Sequence, residues 1–203
     1  PFLVRIGGKE NIVDWVTAPE QVGSVTVIRD LSGKLKKVKV KVRDESYDIA
    51  LLRLKDEVKH VSPISLYQNE DEVGKTVLLL GWGDFGTGAR GLPKFQVVND
   101  GKFRLAENKI TGAKGNYLTF QFDGSTSQDV LPLEGVNGPG DSGSPALVHT
   151  ENGIQLIGVS SRGRYRSIVR TIVDRQGRYG WQEYYIRASK MCNWINQVIH
   201  ESS

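Results

Sequence analysis

A serine stands between two glycines in Gly138-Pro139-Gly140-Asp141-Ser142-Gly143-Ser144-Pro145, with an aspartate directly ahead of it. Glycine reaches backbone angles closed to other residues, so the Gly140 N–H is free to turn into a site. The Ser142 N–H is expected to point the same way. Two convergent N–H donors beside a hydroxyl suit acyl transfer: a nucleophile, and an oxyanion hole worth about 3–4 kcal/mol per donor. The competing reading is a Gly-rich turn between strands with no chemistry.

Four stretches, in order, resemble the trypsin/chymotrypsin-like serine proteases. The family's nucleophile motif is Gly-Asp-Ser-Gly-Gly-Pro, and this chain has Gly140-Asp141-Ser142-Gly143-Ser144-Pro145, with Ser144 in place of the second glycine. Tyr47-Asp48-Ile49-Ala50-Leu51-Leu52-Arg53-Leu54 resembles the segment that carries the triad aspartate. Leu80-Gly81-Trp82-Gly83 resembles the Gly-Trp-Gly that opens the second barrel. Tyr185-Ile186-Arg187-Ala188, with Trp194-Ile195, is similar to the last strand and C-terminal helix. Residues 131–135 resemble a bacterial branch.

The resemblance implies a role for each site residue. Ser142 attacks the carbonyl carbon of a peptide or ester. Asp48 holds the tautomer of a histidine and stabilises its imidazolium. Asp141 pairs with an inserted amine, or with a substitute that keeps the turn active. Ser161 borders the triad aspartate, and Ser161, Arg162 and Gly163 offer backbone to an extended substrate. Arg162 stands where the family often has Trp, which suits acidic substrate residues or marks a solvated loop arginine. Val136 occupies the base of the primary pocket, where trypsins have Asp. Glu183 falls on that pocket's far wall, usually a glycine. There it either receives Arg or Lys, or fills the pocket so that only small residues enter. A register slip of one would turn it to solvent instead.

The general-base histidine of this family precedes the aspartate, and no histidine precedes Asp48. His60 reads as a loop residue, His149 ends a strand leaving the nucleophile turn, and His200 falls in a C-terminal helix. Residues 1–10 resemble the strand that follows the family's histidine segment. The expectation is therefore the larger piece of a longer protease, with the remaining N-terminal segment as its partner. The rival is a silent relative that binds peptides in the same cleft, and a weaker third is a structural β-barrel domain.

These residues need a β scaffold. Short alternating or apolar runs recur at 11–16, 22–29, 35–43, 48–54, 76–80, 117–122, 154–160 and 167–173, separated by turn residues. Helical periodicity appears only near 189–200. The pattern is all-β, and closing barrels removes exposed edges. With the resemblance, it gives two six-stranded antiparallel β-barrels and a short C-terminal helix. The expected divisions are 1–82 (a partial barrel), 83–188 (the barrel with the nucleophile) and 189–203 (the helix).

Composition narrows the partners. Lys and Arg number 27 against 23 Asp and Glu, a net +4 that does not call for nucleic acid. Lysines alternating with valines in 34–43 read as an exposed strand blunted against aggregation. The single Cys192 forms no internal disulfide and is expected to pack rather than react. No run reaches membrane-spanning length. No metal-ligand cluster appears, so hydrolysis without metal or cofactor is expected. The partner is a peptide or protein substrate, and the place is the cell exterior or periplasm.

Overall fold

The computed structural model describes residues 2–17, 19, 25–29, 35–38, 47–93, 96–165 and 176–201. It falls into two compact units, Pro1–Ile64 with Asn193–Ser203, and Ser65–Cys192.

In the first unit, β1 (Phe2–Ile6) and β2 (Lys9–Thr17) form a hairpin with Ile6 opposite Lys9. The two loop residues are Gly7 and Gly8, at φ of 53° and 80°. One of the two tight two-residue hairpin turns whose twist matches that of the strands has positive φ at both positions, which glycine supplies. β2 then pairs antiparallel with β5 (Leu51–Leu54). β3 (Val25–Arg29) and β4 (Leu35–Val38) make a separate antiparallel pair. Residues 39–43 of the basic run lie outside the described residues, as does the run at 167–173.

The larger unit is built on one sheet. Its strands are β6 (Ser65–Leu66), β7 (Thr76–Gly81), β8 (Arg104–Lys109), β9 (Gly112–Lys114), β10 (Tyr117–Gln121), β11 (Pro145–Thr150), β12 (Gly153–Tyr165) and β13 (Trp181–Arg187). The order is β8-β7-β11-β12-β13-β10-β9, with antiparallel neighbours, and β6 adds in parallel beside β12. The sheet curls. Buried Asn108 on β8 donates to the carbonyls of Gln121, at 3.0 Å, and Gly135, at 2.9 Å, tying one end of the order to β10 near the other.

Alternation explains the core. Val77 and Leu79 on β7, Leu118 and Phe120 on β10, and Ala146 and Val148 on β11 are each two apart and buried. Successive strand side chains face opposite sides, so these six meet Ile110, Ile157 and Tyr185 inside the curl. Burying a large apolar side chain contributes roughly 1.5–3 kcal/mol. β7 belongs here because its partners are β8 and β11.

Helix α1 (Ala188–Glu201) follows β13 directly and buries Ala188 and Met191. Its start is fixed within the larger unit. Buried Arg187 makes a two-pronged bond to buried Glu72, Nε to Oε1 at 3.0 Å and Nη2 to Oε2 at 2.9 Å. Ser189 Oγ donates to the same carboxylate at 2.7 Å. Cys192 Sγ bonds the Ala188 carbonyl at 3.2 Å, and burial pushes its thiol up. That is the packed thiol expected from the sequence. An all-β protein with one C-terminal helix is what the alternating runs and the resemblance called for.

Candidate active site

The serine of the Gly-Asp-Ser-Gly motif lies in the turn that feeds β11. Gly140, with φ of 97°, and Gly143, at 82°, sit on either side of Asp141-Ser142. Positive φ at both is a conformation glycine tolerates and other residues resist. The turn closes on itself through Asp141 N–H to the Gly138 carbonyl, 3.1 Å, and Ser144 N–H to the Asp141 carbonyl, 3.0 Å. It is then bonded to β12: Gly143 N–H donates to the Ser160 carbonyl at 3.0 Å, and Ser160 N–H to the Ser144 carbonyl at 2.9 Å.

Asp141 anchors the turn from below. Its Oδ1 accepts from the Gly83 N–H at 2.6 Å and its Oδ2 from the Gly138 N–H at 3.0 Å. A β-carbon on Gly81 or Gly83 would overlap this carboxylate, so the Gly-Trp-Gly segment needs its glycines for the approach. Asp141 thus holds a pair of backbone amides. Ser144, the departure from the family motif, is used too: Asn137 Nδ2 donates to its hydroxyl at 2.7 Å.

Ser142 is exposed. It faces a recess of about 400 Å³ lined by Leu80, Trp82, Phe103, Gly140 and Pro145, among others. The rings of Trp82 and Phe103 meet at a tilt of 41°, their centres 4.3 Å apart. Trp82 is 61% exposed and Phe103 53%, so the recess offers an apolar wall beside the hydroxyl. Asp141 also lines a second cavity of about 190 Å³, together with Val136, Leu92 and Phe122.

β12 carries Ser161, Arg162 and Gly163 past the turn. The ladder to β13 slips between Ser160 and Arg162, which bulges Ser161. Arg162 is exposed, with its guanidinium 4.7 Å from the centre of the Tyr117 ring and 5.6 Å from that of Tyr184. Arg164 lies 4.9 Å from the Tyr184 ring on the same face.

Glu183 pairs with Gly163 across the ladder and points inward. It is 3% exposed, so the register does not turn it to solvent. Trp181 Nε1–H donates to its Oε1 at 2.6 Å. Burial lifts the carboxyl to about 8, the indole bond opposes the rise, and the Asp141 charge adds to it. Tyr185, also inward, has a buried hydroxyl with no hydrogen-bond partner among the described residues. Burial raises its phenol, and the hydroxyls of Ser160 and Ser144 oppose the rise from nearby.

Asp48 lies in the smaller unit, exposed, just ahead of β5. His60 Nε2 lies 3.0 Å from the Ile6 carbonyl in that unit, at the Gly7 turn. His149, on β11, and His200, on α1, are both exposed. Among the described residues no group of His, Cys, Asp or Glu could hold a metal ion, and no helix is long and apolar enough to cross a membrane.

Sequence reasoning passed over Trp181 and Asn137. Trp181 had a readable signal: it stands two residues from Glu183 on one strand, hence on the same face. Asn137 had none, because nothing local marks an amide that bonds a hydroxyl seven residues on.

No curated protein gives a significant match to the sequence. The Trypsin family profile matches residues 9–195. That span takes in β2, the nucleophile turn, the β12–β13 ladder and most of α1, nearly the whole chain, and the protein belongs to the trypsin family.

Proposed function

We propose that this chain is a serine endopeptidase that cleaves peptide bonds by acyl transfer through Ser142. The carrying observation is an exposed hydroxyl on a turn locked by Asp141 from below and by Ser160 from the side. A fixed turn presents a nucleophile without reorganisation at the moment of reaction. Ser142 Oγ attacks the carbonyl carbon and passes its proton to a histidine, which Asp48 orients. The N–H groups of Gly140 and Ser142 receive the developing oxyanion. The histidine then protonates the leaving amine, and water releases the acyl group by the same steps in reverse.

That histidine is supplied by sequence preceding residue 1 in this reading. The family order sets the base ahead of the aspartate, and the three histidines present all follow Asp48. Ser161, Arg162 and Gly163 give the substrate an edge to pair with, and Arg162 over Tyr117 favours acidic residues in the bound peptide. The setting is secretory or periplasmic.

The test uses the full-length protein with its upstream sequence, a peptide library read by mass spectrometry, and a fluorophosphonate that labels activated serines. Cleavage and labelling that both vanish in Ser142→Ala support the reading. A full-length protein that binds peptides yet neither cleaves nor labels establishes the silent binder instead.

A further inference from the structure

The inner face of β12 and β13 next to the nucleophile turn is occupied by the chain itself. Ser160 is bonded to the turn, and Gly163 follows it along β12. A β-carbon on Gly163 would overlap the Trp181 indole, so the indole lies flat against that backbone. Its N–H is bonded to Glu183 at 2.6 Å. Glu183 is close enough to Asp141, the neighbour of Ser142, for their charges to interact. Indole and carboxyl thus stack one behind the other, from the partly exposed Trp181 to the buried Glu183.

We infer that Trp181 fills the side-chain pocket beside the nucleophile turn, restricting the residue that precedes the cleaved bond to Gly, Ala or Ser, and that it covers a carboxyl able to take a cation. This rests on the peptidase reading for its substrate half alone. An indole already in place excludes the long side chains of Lys, Arg and the aromatics, because interiors leave little room for a second group. Among the described residues the acid behind it has one bond to its side chain, from that indole, and a buried acid so placed is neutral at pH 7. A guanidinium or amidinium reaching it would restore the carboxylate as a charge-assisted pair.

The probe for the pocket is benzamidine, a flat amidinium, titrated by calorimetry at pH 7.5. The wild type is expected to show no saturable binding. Trp181→Ala is expected to bind at least about ten-fold more tightly than any wild-type signal, a difference of roughly 1.4 kcal/mol. Trp181→Ala with Glu183→Gln is expected to lose that gain. Trp181→Leu, with more of the packing kept, serves the same comparison if the alanine variant does not fold. Equal binding by wild type and Trp181→Ala, or binding that survives Glu183→Gln, overturns the inference.

The peptide library separates the two readings. Cleavage after small residues by the wild type, shifting to Lys and Arg in Trp181→Ala, supports both. Wild-type cleavage after Lys, Arg or Phe overturns the pocket inference and leaves the peptidase standing. Benzamidine binding that follows Trp181 and Glu183, in a protein that cleaves nothing, keeps the pocket and removes the peptidase.

Discussion

Asp141 joins two backbone amides to the nucleophile turn, and hydrogen bonds to an ionised acceptor are roughly twice as strong as neutral ones. Asp141→Ala strands the Gly83 and Gly138 N–H groups. It should destabilise the protein by about 3–6 kcal/mol in urea unfolding, taking about 1.5–3 kcal/mol for each of the two hydrogen bonds to charge. It should also slow fluorophosphonate labelling of Ser142 about 100-fold, comparable to losing one oxyanion donor. Glu183 sets a pH dependence of stability. Its carboxyl is raised from 4.5 to about 8 in the folded state, so the native state holds a proton that the unfolded chain releases. Stability from this group is then intact below about pH 4.5 and falls as pH rises toward 8, where the slope ends. Glu183→Gln should flatten that slope and be the more stable variant at pH 8 or above, as melting curves at pH 5 and 8.5 would register.

The elements differ in how visible they were beforehand. β10 announces itself because Leu118 and Phe120 alternate with the more polar Tyr117, Thr119 and Gln121, and β7 because Val77 to Leu80 is a short unbroken apolar run. The nucleophile turn was visible because Gly-Asp-Ser-Gly has few alternative uses. The fixing of α1 was invisible: Glu72 and Arg187 lie 115 residues apart, and no local pattern links them. The same holds for Asp141 and Gly83, where the glycines were legible as a motif but not as room for a carboxylate. Removing one partner of a buried ion pair leaves a charge without compensation. Arg187→Met alone should therefore cost about 3–5 kcal/mol, and Arg187→Met with Glu72→Leu should recover most of it. Denaturant titration of both variants measures the difference. Among the described residues, Glu70→Ala removes only the exposed Lys190 bond and the outer contact to Arg187, and should leave the melting temperature near its original value.

For the whole molecule, each unit carries its own pairing, β1-β2-β5 in one and the seven-strand order of β8 to β9 in the other. The trypsin family match spans both. Cleavage should therefore need the whole protein. The larger unit, Ser65–Cys192, expressed alone with Ser142 present, should show less than about one ten-thousandth of full-length turnover, the cost of missing triad members. A rate near that of the full-length protein would mean that Asp48 has no part in the chemistry. The larger unit also contains a knot of sequence-distant backbone at Asp141. Gly83, Gly138 and the turn at 140–144 converge on that one side chain. In deuterated water, the amides of Gly83 and Gly138 should not trade their protons as independent loop groups. Both wait for the same departure of one carboxylate, so they should exchange at matched rates, and Asp141→Asn should quicken both by a common factor. Two glycines 55 positions apart in the chain would then keep one clock.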